Sequence, residues 1–147
     1  YSHIANNCSI AGGMDWEFSL GDFSGVSAGV RIWCVSNDFV RDLVAILPKE
    51  IESIVGKKIK MNTGNVIIEN YTGIGCNTVI MPDNRIPEGT VIGAMSFVPS
   101  QFKFKPWSVY SGAPIQLRKS RNRKNVLSQV GAMNHYLESI RGFGKNG

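Results

Sequence analysis

An aliphatic residue returns at every sixth position from Ile68 through Ile74, Ile80, Ile86 and Ile92 to Val98. Neither an amphipathic helix, with a period of about 3.6, nor an alternating strand, with a period of about 2, produces this spacing. It fits a chain wound about an axis, in which short flat strands meet at tight corners. Each winding then adds one layer of Ile or Val to a central stack. Four positions after the first five of these aliphatics stand Thr72, Thr78, Asn84, Thr90 and Ser96, mostly small residues that fit inside a corner. One position after Ile74 and Ile92 stand Gly75 and Gly93, where backbone turns or is closely approached.

The same register appears earlier, at Ile4 and Ile10 and again at Leu20, Val26 and Ile32. The longer step between Ile10 and Leu20 predicts that about four residues near Gly12 to Glu17 bulge from one corner. Residues 38–65 lack the repeat. Phe39, Leu43, Ile46, Leu47 and Ile51 give this stretch enough apolar surface to pack on a neighbouring face or subunit, and long non-repeating loops in compact domains are usually functional. Beyond the repeat, Val126, Val130, Met133, Leu137 and Ile140 fall at helical spacing, which predicts an amphipathic helix as an end cap or a subunit contact. The organisation expected is a coiled β domain over residues 1–111, interrupted at about 38–65, and a basic tail with a helix over 112–147.

Composition narrows the partners. The 147 residues suit one domain with its own core, and no apolar run is long enough to span a membrane. No secretory signal pattern is visible, and the first residue is Tyr, as in a chain trimmed at its start. Cys8, Cys34 and Cys76 lack metal-ligand spacing and read as reduced thiols, so a cytoplasmic location is expected. His3 and His135 alone cannot supply a three-His metal site within one chain, and no metal is expected. The net charge of +5 is concentrated in Lys103, Lys105, Arg118, Lys119, Arg121, Arg123 and Lys124, a stretch without Asp or Glu. That points to a polyanionic ligand or a solvated tail; no nucleic-acid motif accompanies it, and nucleic acid is not expected.

The run IIENYTGIGCNTVIMPDNRIPEGTVIGAMSFV, followed by PWSVYSGAPIQLRKSR, resembles the hexapeptide-repeat acyltransferases, nearest to galactoside and maltose acetyltransferases and O-antigen or capsule sugar acetyltransferases. The resemblance implies an all-β fold, a left-handed parallel β-helix that is three-sided, with a long excursion loop. It implies a homotrimer with active sites between subunits, acetyl-CoA as donor and a sugar or nucleotide-sugar hydroxyl or amine as acceptor. By position it places the pantetheine arm along Gly75, Cys76, Ala94 and Ser96, and the CoA phosphates at Arg118 and Lys119. The Thr-Lys pair that the family carries after its last regular hexad is Pro99–Ser100 here, and Lys103 or Lys105 is the candidate replacement for the missing charge.

Where the family carries its general-base His, this chain has Asn37, within VRIWCVSNDF. An amide cannot take a proton at neutral pH, and three readings stay open. Asp38 acts as base, helped by Asp15, which a count of one coil plus the bulge stacks beneath Asn37. Alternatively the acceptor is an amine that needs less assistance, oriented by Asn37. Or His3 or His135 is lent across a subunit boundary. Asp and Asn also serve as turn formers, so the cluster has a purely structural reading too. Two functions are therefore expected in competition: an acetyl-CoA-dependent sugar acyltransferase of surface polysaccharide or O-antigen assembly, and a trimeric binding or scaffold protein that has lost its base.

Overall fold

The computed structural model describes residues 1–37, 49–56 and 60–143. Asp38 and the apolar residues Phe39, Leu43, Ile46 and Leu47 lie outside them. The strands are β1 (His3–Ile4), β2 (Ser9–Ala11), β3 (Phe18–Leu20), β4 (Gly25–Val26), β5 (Arg31–Trp33) and β6 (Val35–Asn37). After a single turn of helix, α1 (Glu52–Val55), come β7 (Met61–Thr63), β8 (Val66–Ile68), β9 (Gly73–Ile74), β10 (Val79–Ile80) and β11 (Asn84–Ile86). β12 (Val91–Ile92), β13 (Phe97–Val98), β14 (Ser108–Ser111), β15 (Gln116–Ser120) and the helix α2 (Arg123–Phe143) complete the chain.

Three sheets are visited in rotation. The first has the order β1-β4-β9-β12-β14-β15, the second β13-β10-β5-β2 and the third β11-β8-β3. Every contact within them is parallel except β14 with β15. Val79 faces Phe97, Gly73 faces Val91 and Val66 faces Asn84, so one circuit of the sheets takes eighteen residues. Three hexads make that circuit, which is why the six-residue period is the legible one. In the first circuit His3 faces Gly25, four residues beyond the regular step, and the surplus sits between β2 and β3 where the bulge is expected. Gly25 faces Gly73, thirty residues beyond the regular step, and that surplus is the excursion. The excursion begins slightly before residue 38: β6 has already left the second sheet and runs antiparallel to β7, Val35 facing Thr63 and Asn37 facing Met61.

The hexad aliphatics all point inward. Val26, Ile32, Ile68, Ile74, Ile80, Ile86, Ile92 and Val98 are each at most 1% exposed. Ile4 and Ile10 keep the register but are 45% and 41% exposed, since among the described residues β1 and β2 have a strand neighbour on one side only. The small polar residues close the corners from within. Thr78 Oγ1 donates to the Gly93 carbonyl at 3.1 Å, and Asn84 Nδ2 donates to the carbonyls of Met81 at 2.8 Å and Pro99 at 2.9 Å. The bonds to Gly93 and Pro99 tie one circuit to the next, the bond to Met81 closes its own corner, and all three satisfy partly buried carbonyls. Thr90 differs: its hydroxyl is sealed without a partner among the described residues.

The repeat ends when Tyr110 takes the place an aliphatic holds in Ile92, its strand partner. Its hydroxyl accepts the Lys105 amide proton at 2.7 Å, and its ring meets Phe102 and Phe104 edge-on at 5.8 and 5.0 Å. Helix α2 begins beside Trp107, where the Arg123 guanidinium lies 5.3 Å from the ring centroid. Arg121 donates to the carbonyls of Tyr71 and Gly89, and Val126, Val130 and Met133 border a cavity with Phe23 and Tyr71. The helix therefore flanks one corner of the stack and does not sit across its end. Val126, Val130, Met133 and Leu137 are partly buried, as the stripe predicts, whereas Ile140 remains 46% exposed.

Two outcomes follow from this packing. Ile80→Ala removes side-chain volume from a fully enclosed layer and should cost about 2–5 kcal/mol in urea unfolding, while Ile10→Ala should cost under about 1.5 kcal/mol because its layer is open; equal losses would contradict the stacked core. Cys34 is fully buried, and burial pushes its thiol up from the ordinary 9.0, with the Val66 backbone partly offsetting the rise. The unfolded thiol ionises first, so this contribution is complete below the ordinary thiol value and is lost as pH rises through the folded one. As pH rises past the ordinary thiol value of 9.0, the melting temperature should fall more steeply for the native chain than for Cys34→Ala; parallel curves would assign the alkaline loss to other groups.

Candidate functional site

Two of the corners carry the residues singled out in the sequence. They lie at opposite ends of the second sheet, whose strands of two or three residues are about 10 Å long at roughly 3.3 Å per residue.

At the corner between the first and second sheets, Asn7, Asn77 and Met95 have φ of 58°, 56° and 58°, and Gly29 has 75°. Such left-handed turns let the chain double back sharply, and Asn tolerates them better than most residues with a side chain. The preceding positions, Asn6, Ala28, Cys76 and Ala94, form a column joined by backbone bonds: Gly29 N–H to Asn6 O, Asn77 N–H to Ala28 O and Met95 N–H to Cys76 O, at 2.9–3.1 Å. Cys76 and Ala94 are exposed and short, so a ledge of backbone remains open to an approaching chain. Gly75 has a second reason to be glycine, since a Cβ there would lie 2.3 Å from the Ala94 nitrogen. Clefts of about 300–1,000 Å³ are the usual size for a small-molecule site, and the open groove at this corner measures about 620 Å³, running past Asn7, Ala28, Gly29, Arg31, Cys76 and Asn77.

Ser96, expected on this ledge, is instead 2% exposed. Its hydroxyl donates to Gly93 O at 2.7 Å and accepts the Gly112 amide proton at 3.1 Å, so it belongs to the inner corner. Arg118 is held at the β14–β15 hairpin by Nε to Ser111 Oγ at 2.8 Å and Nη2 to Ser111 O at 3.1 Å. It is the surplus residue of a bulge: Tyr110 faces Leu117 and Val109 faces Lys119. A bulge re-aims a side chain, and here it turns the guanidinium back toward the Gly112 turn. Lys119 is exposed beside it. Lys103 lies elsewhere in the chain, beside a groove of the third sheet lined by Asp83, Arg85 and Gln101, so the fold does not gather Lys103 with Arg118 and Lys119.

The corner between the second and third sheets holds the candidate chemistry. The bulge after β2 packs on the root of the excursion: a Cβ on Gly13 would lie 3.2 Å from Val35 Cγ2. The Glu17 amide donates to Asn65 Oδ1 at 3.0 Å across the same corner. Asp15, on this bulge, and Asn37, at the end of β6, are thus placed in one region, Asp15 exposed and Asn37 partly buried. Among the described residues no side-chain hydrogen bond joins the two, and Asp38 lies outside them. Sequence reading missed the polar contact that fixes this root: Asn62 Nδ2 donates to Ser100 Oγ at 2.7 Å, tying β7 to a later circuit. The Pro99–Ser100 departure was its visible half, but its partner stands thirty-eight residues away and off the repeat. The histidines are apart from this corner, His3 against Gly25 on the first sheet and His135 exposed on α2.

No family model matches the chain. A dTDP-4-amino-4,6-dideoxy-D-glucose acyltransferase of Escherichia coli is 27% identical over 126 residues, 84% of this chain and 60% of that protein, so the chain spans about three fifths of that relative's length. AntD, an N-acyltransferase from Bacillus cereus, has been solved as a serine-to-alanine variant with dTDP-4-amino-4,6-dideoxyglucose and coenzyme A. It superposes with a TM-score of 0.76 at 28% identity, covering 95% of this chain and 68% of that one. Its aspartate-to-asparagine variant with dTDP and coenzyme A aligns at 31% identity, TM-score 0.74, covering 95% and 69%. A galactoside acetyltransferase in complex with coenzyme A, 23% identical with a TM-score of 0.59 over 84% of this chain and 57% of that one, shares the fold. The six-residue register, the eighteen-residue circuit and the extent of this likeness agree, and the chain belongs to the hexapeptide-repeat acyltransferase family.

Proposed function

We propose that this chain is an acyl-CoA-dependent sugar acyltransferase acting on a nucleotide-linked amino sugar or hydroxyl sugar. The observation that carries the reading is the alignment of 95% of the chain with a structure holding both a dTDP-amino sugar and coenzyme A. Support also comes from the side-chain-poor ledge at Gly75, Cys76 and Ala94, where an extended amide arm lies against backbone like an added strand. In this reading the three sheets close as a left-handed solenoid, and three copies assemble so that the ledge of one faces the excursion of its neighbour. Arg118, Lys119 and a neighbour's Lys103 take the CoA phosphates.

The bound thioester supplies an electrophilic carbonyl; as the acceptor nitrogen attacks it, the C–N bond forms, the C–S bond breaks and the proton leaving nitrogen passes to the sulfur. Asn37 orients the acceptor through its amide, which accepts from an amine and donates to a sugar hydroxyl. Asp38 and Asp15 receive or relay the proton, or hold the charge of an acceptor that arrives as ammonium. An amine is the favoured nucleophile because, once unprotonated, it needs no base as strong as His. Acetyl is the acyl group that we assign. The three free thiols and the dependence on acyl-CoA suit a cytoplasmic enzyme, and nucleotide-linked sugars suit assembly of a surface polysaccharide. Among the described residues no helix is long and apolar enough to cross a membrane.

Two experiments test the reading. With coenzyme A at about 100 times its dissociation constant, the protein should gain about 2.7 kcal/mol of stability. It should then release thiol from acetyl-CoA when a dTDP-4-amino sugar is added. Stabilisation with no thiol release across amino and hydroxyl nucleotide-sugars would favour the scaffold reading that Asn37 raises. Alkylation locates the donor: Cys76 is exposed and Cys34 is buried, so Cys76 should react with iodoacetamide well before Cys34, and saturating coenzyme A should slow it about tenfold or more. Unchanged Cys76 reactivity in the presence of bound coenzyme A would move the donor arm off this ledge.

A further inference from the structure

From the groove at the corner between the first and second sheets we infer that Arg31 is the phosphate-binding residue of the acceptor subsite, taking the diphosphate of the nucleotide-linked sugar. This rests on the acyltransferase reading above and adds an assignment within it. Arg31 Nη1 donates to the carbonyls of Asn7 at 2.6 Å and Gly29 at 3.0 Å. These two bonds fix one nitrogen of the guanidinium, while Nε and Nη2 make no hydrogen bond with any described residue. A planar fork held by one prong is ready to meet a phosphate with the others, and pre-organisation lowers the entropy lost on binding.

The surroundings favour an anion. Arg31 borders the groove of about 620 Å³ with Asn7, Ala28, Cys76 and Asn77. Among the described residues no carboxylate lines it, and Arg31 is its one cation. Asn7 and Asn77 add neutral amides that donate to oxygen.

Its position along the axis separates this subsite from the donor's phosphates. In the second sheet Arg31 belongs to β5, with β10 and then β13 stacked beyond it. Two strand spacings, about 10 Å, therefore part Arg31 from the circuit of Ala94 and Phe97. Arg118 and Lys119 lie one circuit further still, on the hairpin that follows β14. With CoA phosphates at that end and its arm along Ala94 and Cys76, the reacting thioester points toward Arg31. A cation beside the thioester end is on the wrong side for the donor's own phosphates and on the right side for those of an acceptor entering from the opposite direction.

The test uses dTDP and coenzyme A as separate probes, each titrated calorimetrically against the native protein, Arg31→Gln and Asn77→Asp. Arg31→Gln removes the fork. Asn77→Asp places a carboxylate in the groove, at a left-handed position that Asp tolerates, and leaves the anchors of Arg31 intact. Losing charged hydrogen bonds should weaken dTDP about 10- to 100-fold in Arg31→Gln, and Asn77→Asp should weaken it in the same direction, with coenzyme A affinity kept within about twofold in both. Circular dichroism and melting of the free proteins check folding; should Arg31→Gln not fold, Asn77→Asp alone decides. Unchanged dTDP affinity overturns the inference. Loss of coenzyme A affinity in its place assigns the guanidinium to the donor and also overturns it. A native protein that binds coenzyme A but not dTDP refutes the subsite while leaving acyl transfer standing, and one that binds neither refutes both.

Discussion

The stack of inward Ile and Val side chains, one layer per circuit, is the constraint from which the remaining geometry follows. Each layer needs its branched side chain directly above the last, so strand register is fixed to the residue, and a slip of one would turn the apolar set outward. With register fixed, every corner repeats at the same angular position. Left-handed turns at Asn7, Gly29, Asn77 and Met95 then line up, and so do the short side chains before them. A straight ledge with exposed backbone is a by-product of the core's periodicity, and it suits a linear ligand for that reason.

The stack tolerates insertions only at corners, where the strands have ended. Both departures from the regular circuit use this freedom, the bulge between β2 and β3 and the excursion between β5 and β8. They leave from the same corner in successive circuits, which brings Asp15 and Asn37 into one region. Chemistry-bearing residues concentrate where the repeat exerts no demand, while the repeat positions themselves are taken up by packing. Ser96 illustrates the second half of that statement. It has the small polar side chain that a donor site asks for, but the count that sends Thr78 inward sends Ser96 inward as well.

Much of this architecture was legible because one residue class at one interval reports the circuit directly. The bulge, the excursion and the C-terminal helix were visible as interruptions or changes of that interval. What was not legible depends on contacts between distant positions. The Asn62–Ser100 bond has one member on each side of the repeat's resumption, and no local pattern links them. Arg118 reads as a free cation in the sequence; only the β14–β15 bulge turns it onto Ser111. Arg31 sits at an outward strand position where any polar residue satisfies the pattern, and its meaning comes from two carbonyls presented by a corner below and a corner beside it.

The antiparallel return of β15 onto β14 gives the molecule a polarity that its internal regularity lacks. A parallel coil ends, in principle, with hydrogen-bonding edges that invite another copy to continue the stack, and end-to-end growth of that kind yields fibres. Here the reversed strand occupies the first sheet's edge, the Ile115 amide takes the Phe97 carbonyl at the second and the Phe102 amide is bound by the Asn84 side chain at the third. A second copy approaching this end thus meets a reversed strand in the first sheet and groups already engaged at Phe97 and Phe102, not an uninterrupted parallel edge on which to continue the stack.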